Sequence, residues 1–494
     1  MRQHPHLFEI SAWPWLTRLS RDAGRLVTLA GVPDAEWDRL GAGGFDCVFL
    51  MGVWRRSAIG RMIARTDASL VAEYDRVLPG WTMADVPGSP YCIQAYEPDE
   101  RMGGWAGLDA ARSALAARGI KLILDFVPNH TGFDHAWVTA FPDRYVLGSF
   151  EDYRRSPSDF RPIERGGDVL FVACGRDPYF APWTDVAQLN YFNPDARAAL
   201  TATVAEIAQH CDGVRCDMAM LVLNDIFERT WRRLLGGRWP RLEADFWRDV
   251  TSAVPSLVYL AEVYWNLEGT MLEQGFGYAY DKRLLDALHG APHETAARVR
   301  DLLASDRPEP RRLARFLENH DEPRSAATLD GRAAAGAALV ATVPGMRFFY
   351  DGQFEGRRVK LPVQLGRWPD EAPDAATRSL YDRLLGTAGE AVFHAGEWRL
   401  LPVSAAGDDS SSDLVAYRWR DGAALSVVVA NAGGRVAQGH VSLGGDVPDA
   451  AACDFEDRLT DTRYRWTRDL LVSPGLYVRL EPGRAHVFNV HAIG

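Results

Sequence analysis

The sequence predicts an α/β chain: a (β/α)8 TIM barrel, with an inserted subdomain after the third strand and a C-terminal antiparallel β domain. Three features carry this reading. Short β-forming apolar runs alternate eight times with stretches whose apolar residues recur at helical spacing, the pattern of a parallel barrel. Between His130 and Val186 helical periodicity gives way to a Pro-, Asp- and aromatic-rich passage too long for a βα loop. Beyond Glu390, "DLVAYRWRDGAALSVVVANAGG" alternates apolar and polar residues around an Asp421-Gly422 turn signal. The expected units are a barrel over residues 1–130 and 187–389, the inserted subdomain over 131–186 and a β-sandwich over 390–494.

In chain order the eight runs are "FDCVFLMG", "SPYCIQAY", "IKLILDFV", "DGVRCDMA", "SLVYLAEVY", "GFGYAYD", "LARFLEN" and "GMRFFYDG". Between them, "GLDAARSALAARG" and "PDARAALTATVAEIAQH" read as amphipathic helices. The polar run "GDDSSSD", Gly407 to Asp413, reads as a mobile loop of the last domain. At 494 residues the chain exceeds one ordinary domain, and a barrel of about 250 residues or more with a smaller domain accounts for it.

Composition narrows the function classes. With 66 acidic against 55 basic side chains the net charge is −11, which argues against nucleic acid as a partner and favours a neutral or polar ligand. The opening "MRQHPHLFEISAWPWL" lacks the pattern of a secretory leader, and no apolar run reaches the roughly 18 residues of a membrane span, so no membrane partner is expected. Six scattered cysteines without a CxxC pair or zinc spacing point to a reduced, cytoplasmic chain. Oligomeric state is not legible.

Barrel enzymes place their chemistry where strands end, so polar residues closing an apolar run are the candidates. They are Asp125, Asn129 and His130 in "LDFVPNH", Arg215 and Asp217 in "DGVRCD", Glu262 in "LAEVYW", and Asn319, His320 and Asp321 in "RFLENHDEPR". Three carboxyl groups, Asp217, Glu262 and Asp321, then share one cleft, and their pKa values must be driven apart. Arg215 is expected to hold Asp217 ionised; Glu262, among Tyr259, Val263, Tyr264 and Trp265, is expected to keep its proton. An anion beside a protonated acid, with carboxyl groups roughly 5–5.5 Å apart, is the apparatus for cleaving a glycosidic bond with retention. Each motif alone has a plain structural reading: an ion pair, a core histidine, a helix cap. Four of them in order at four strand ends do not.

"DFVPNH", "GVRCD", "AEVYW" and "ENHDE" resemble the four short regions of the α-amylase family of glycoside hydrolases and transglycosidases. "AQLNYFNPDAR" and "PGMRFFYDGQ" are similar to that family's pattern too, and the likeness covers nearly the whole chain. It implies that Asp217 is a nucleophile, Glu262 the general acid and then base, and Asp321 a ligand of the sugar 2- and 3-hydroxyls. His130 and His320 are implied as further sugar contacts, Tyr91 as an aromatic platform, Arg215 as the residue orienting Asp217, Asp125 as its support and Asn129 as part of the binding motif. The implied substrate is a small-molecule carbohydrate, with no cofactor.

The sequence departs from the family's pattern in several places. Gly88 stands where family α-glucosidases often have an aspartate, and Met218, Ala219, Met220 and Leu221 follow Asp217 where many starch-degrading members have a Lys-His pair. Gln188 in "AQLN" occupies a position at which calcium-binding members often have Asp, so no obligatory metal is expected. Of Trp81, Trp105, Tyr153, Tyr179, Phe180 and Trp183, most read as packing residues and some as sugar-stacking faces. Cys216 should point away from the cleft by strand alternation. The reading is a retaining α-glycosidase; the rivals are a transglycosidase or sugar isomerase with the same triad, and a non-catalytic sugar-binding relative.

Overall fold

The computed structural model describes residues 1–235, 237–305, 308–329 and 331–493. Eight parallel strands close into a barrel: β1 (His6–Ser11), β2 (Cys47–Met51), β3 (Lys121–Phe126), β4 (Gly213–Cys216), β5 (Val258–Ala261), β6 (Tyr278–Tyr280), β7 (Leu313–Arg315) and β8 (Met346–Tyr350). Each pairs with its sequence neighbours, and β8 returns to β1 with Phe8 opposite Phe349. Inside, Leu7, Phe49, Ile123, Leu260, Phe316 and Phe348 fill the barrel. Helices cover the outside. Gly104–Ala116 buries Leu108, Ala111 and Leu115, spaced three and four apart, and Pro194–Ile207 starts where the Asn193 side chain accepts from Asp195 N–H at 2.9 Å.

One predicted strand is wrong. "SPYCIQAY" lies outside the barrel: Ile93–Pro98 pairs antiparallel with Trp54–Arg56 in a two-stranded ribbon beyond the end of β2. The true first strand is "HLFEIS", all six residues of which are buried. Its His6, Glu9 and Ser11 break the apolar signature that marks the other strands, so it does not read as a barrel strand.

After β3, five strands (His130–Gly132, Leu147–Gly148, Phe160–Arg165, Asp168–Gly175 and Trp183–Gln188) form an antiparallel sheet of their own. At the C-terminal end a six-stranded and a three-stranded antiparallel sheet enclose a second core that includes Leu414, Val427, Val441, Phe455 and Leu476. The opposite face of the larger sheet packs on the barrel's helices, where Trp419 Nε1 donates to Thr342 O at 2.7 Å. The predicted hairpin turns at Gly422, in the left-handed region at φ 56°. "GDDSSSD" is not a free loop: Ser410 and Asp413 are buried, and Arg435 Nε reaches Asp413 Oδ2 at 2.9 Å. Among the described residues no helix is long and apolar enough to cross a membrane.

Candidate active site

The centre of the site is Arg215, at 0% exposure on β4. Strand alternation turns it inward, and the ends of three other strands deliver carboxyl groups to it. Its Nη1 lies 2.8 Å from Asp217 Oδ1 and 3.5 Å from Asp125 Oδ1; its Nη2 lies 2.8 Å from Glu262 Oε2 and 3.8 Å from Asp321 Oδ2. Adjacent strands hold these ends together, since Asp217 N–H donates to Phe126 O and Glu262 N–H to Cys216 O. Met218 takes a left-handed conformation, φ 40°, so that its N–H donates to Glu262 Oε2 at 2.6 Å. That strain, of order 1–3 kcal/mol for a residue other than glycine, sits between the two carboxyl groups. Tyr264 Oη–H donates to Glu262 Oε1 at 2.7 Å.

Asp217 departs from the expectation that Arg215 holds it ionised. Burial first, then the charge of Glu262, push the Asp217 carboxyl up to about 8, outweighing Arg215. Glu262 accepts two hydrogen bonds, from the Met218 N–H and the Tyr264 hydroxyl, and lies 2.8 Å from Arg215 Nη2, whereas the Arg215 hydrogen bond goes from Nη1 to Asp217. Asp217 and Glu262 therefore titrate as a pair rather than as two independent carboxyl groups. Asp125 is pushed up to about 6 by burial, against the pull of Arg215. Asp321 goes the other way: burial opposes, but His320, Arg215 and Lys360 together hold it well below the usual carboxylate range.

Around this cluster lies an open cleft of about 350 Å³ lined by Tyr91, His130, Trp183, Asp217, Glu262 and Asp321, among others. Its size is within the range of about 300–1,000 Å³ usual for small-molecule sites. His130 reaches the lining directly, and burial lowers its pKa to about 4, leaving a neutral ring. Tyr91 stacks on His320 at 5.4 Å, with its hydroxyl 2.6 Å from Nε2. Four predicted residues do not line the cleft: Arg215 and His320 are buried beneath the residues that do, and Asp125 and Asn129 are supports. Asp125 is behind Arg215, accepting Gly52 N–H at 3.0 Å; Asn129 is behind His130, with Nδ2 3.2 Å from the ring's Nδ1.

Gln188 has its Nε2 3.0 Å from Asn129 O, 3.0 Å from Asn129 Oδ1 and 3.1 Å from Leu189 O. An amide donor thus fills a spot where three oxygens converge. Among the described residues no group of three or more His, Cys, Asp or Glu could hold a metal ion.

Of the candidate aromatics, Trp183 lines the cleft, and Tyr179 meets Trp265 edge-on at 5.0 Å. Trp81, Trp105 and Tyr153 are packing residues, against Tyr74, Trp54 and Phe171 respectively. Cys216 is turned into the strand–helix core, and burial pushes its thiol up. Gly88 has φ 96°, and a Cβ there would meet Arg61 Cα at 3.0 Å, so the backbone itself demands glycine.

No protein-family model matches the chain. Over 291 residues, 58% of this chain, it is 27% identical to the α-amylase MalA of Haloarcula japonica, of which it covers 38%. It is 23% identical over 269 residues, 51% of this chain, to α-amylase 3 of Dictyoglomus thermophilum, of which it covers 50%. The chain thus spans half or less of the length of these curated relatives. A maltogenic α-amylase, AmyB of Thermotoga neapolitana, superposes over 100% of this chain and 99% of its own, with a TM-score of 0.70 at 18% identity. The chain carries the α-amylase-family fold.

Within the α-amylase-family barrel, sequence reasoning missed two polar groups. Glu9, buried on β1, contacts His320 Nδ1 through Oε1. Asp185 comes from the inserted sheet and lines the cleft, and burial raises its pKa. Recognising β1 as a barrel strand would have exposed Glu9; nothing in the sequence distinguishes Asp185 from a surface acid.

Proposed function

We propose that the chain is a retaining α-glycosidase that hydrolyses α-glucosidic bonds in oligosaccharides. The observation that carries the reading is the convergence of Asp217, Glu262 and Asp321 on one buried guanidinium at the open end of the barrel. In this reading Asp217 attacks the anomeric carbon, while Glu262 protonates the departing oxygen and later deprotonates water. Asp321, His320 and His130 hold hydroxyls of the sugar being transferred, and Tyr91 supplies a flat face. Asp217 must lose its proton before it can attack. A bound glycoside favours that transfer at both ends: its bridging oxygen offers Glu262 an acceptor for a proton, and its electron-poor anomeric carbon favours the Asp217 anion.

The test is proton NMR of the protein with maltose, maltotriose, longer maltooligosaccharides, trehalose and sucrose, with Asp217→Asn as control. Release of α-configured sugar that vanishes in the variant supports the reading. New glycosidic linkages would move it to a transglycosidase, and sugar binding without turnover in the parent would reject catalysis altogether.

A further inference from the structure

Glu9 has no role in the reaction outlined above, yet it occupies the interior end of β1 at 0% exposure. Among the described residues its side chain has a single hydrogen-bond partner, His320 Nδ1, and its Oε2 has none. On the far side of the same ring, Nε2 lies 2.8 Å from Asp321 Oδ2. The imidazole is therefore held between two carboxyl groups, and its Nε2 also meets the Tyr91 hydroxyl at 2.6 Å, which can accept from an Nε2–H. A neutral imidazole carries one N–H and presents a lone pair at its other nitrogen, which would then face carboxylate oxygen. A doubly protonated ring donates to both. Tyr91 lies against its face at 5.4 Å and 24°, a neighbour that suits a cation.

We propose that Glu9 is a positioning residue that keeps His320 as a doubly protonated imidazolium, fixed in orientation between β1 and Asp321. The inference rests on reading the cleft as a glycoside site. It says how that site keeps Asp321 ionised and His320 a donor at alkaline pH.

The alternative placement of the proton, on Glu9 with a neutral ring, has the same total charge. It is disfavoured because the ionic form gains attraction from both carboxylates for one buried cation. Other ionisable groups that face the pair are Tyr91, whose hydroxyl burial keeps protonated, Asp125 on β3, Arg215 on β4, Tyr280 on β6 and Tyr350 on β8. Arg215 opposes a second cation; its own charge is already engaged by Asp217 and Glu262.

The direct test is nitrogen-15 NMR of the imidazole rings in the full chain at pH 8, with His320 assigned by the signals missing in His320→Gln. Two protonated-type nitrogens are expected. One protonated and one bare nitrogen would overturn the proposal, and this reading needs neither a variant of Glu9 nor any enzymatic activity. In Glu9→Gln the ring should titrate within the range studied. If the substrate reading also holds, kcat should fall roughly tenfold or more with little change in KM, as for a group misplaced by under an ångström. The alkaline limb of kcat should move down by about one pH unit or more, and Glu9→Asp should restore part of both. A Glu9→Gln protein with an unchanged ring spectrum and pH profile would overturn the role. Absence of glycosidase activity in the parent would count against the proposed function and leave the ring's protonation state to be read independently.

Discussion

Replacing Arg215 by methionine should make the protein's stability strongly pH-dependent. The guanidinium is fully buried and 2.8 Å from both Asp217 and Glu262. Removing one partner of such a cluster costs about 3–5 kcal/mol when the remaining charges stay ionised. They need not, because buried carboxyl groups can hold protons instead. In the parent, burial and Glu262 already hold Asp217 protonated up to about 8, and Asp125 up to about 6. Without Arg215 at least one further proton, on Glu262 or Asp125, should stay bound toward pH 8. An unfolded carboxyl releases its proton near about pH 4. A folded group with a raised pKa therefore loses stability as pH climbs through that window, by about 1.4 kcal/mol per pH unit for each extra proton. From pH 5 to pH 8 the variant should lose about 3 kcal/mol more than the parent if the proton stays on Asp125, which the parent already holds protonated up to about 6, and about 4 kcal/mol if on Glu262. Urea denaturation followed by tryptophan fluorescence, compared for both proteins at the two pH values, measures the difference. An equal loss at both would refute the argument that Arg215 is what lets these carboxyl groups coexist as charges.

Two further outcomes follow from the same geometry. The productive cleft needs one proton on the Asp217–Glu262 pair, so kcat/KM for an oligosaccharide should fall above about pH 8, where Asp217 gives its proton up. For a substrate whose leaving group needs no protonation, Glu262→Gln should abolish that limb, and its persistence would remove Glu262 from the acid's role. Gly88→Asp, which restores the residue common in family α-glucosidases, should lower the thermal midpoint, since a φ of 96° and a Cβ 3.0 Å from Arg61 Cα cost about 1–3 kcal/mol. An unchanged midpoint would show that the loop relaxes.

The strands that were legible from sequence are those whose pattern is nearly all apolar before the polar candidate residue. "KLILDF" and "VYLAE" announce both a buried strand and the point where it ends. "HLFEIS" announces neither, because three of its six residues are polar and every one is buried. The ribbon strand "IQAYEP" has the composition of a barrel strand but only its first and last residues are buried, a difference periodicity does not record. The candidate carboxyl groups stood out for a related reason: Asp217 and Glu262 close apolar strand runs, and Asp321 stands three polar residues beyond "FL". Their protonation could not, because it depends on how many donors each oxygen meets. Tyr264 and the left-handed Met218 donate to Glu262 and Arg215 donates to Asp217, and none of those distances is written in the motif.

The strand hardest to read is the one whose polar residue completes the charge pattern. Asp125, Asp217, Glu262 and Asp321 place four carboxyl groups around one arginine, more negative charge than a buried guanidinium can balance. Two features relieve it: burial raises the pKa values of Asp217 and Asp125, and a histidine lies beside Asp321. A histidine can serve as a lasting cation only if something holds its second proton, and the residue placed to do so is Glu9. The interruption of β1 thus follows the logic of the interruption of β4. A charged side chain is tolerated inside the barrel where an opposite charge from another strand meets it, and such breaks mark the end of the barrel where chemistry is possible.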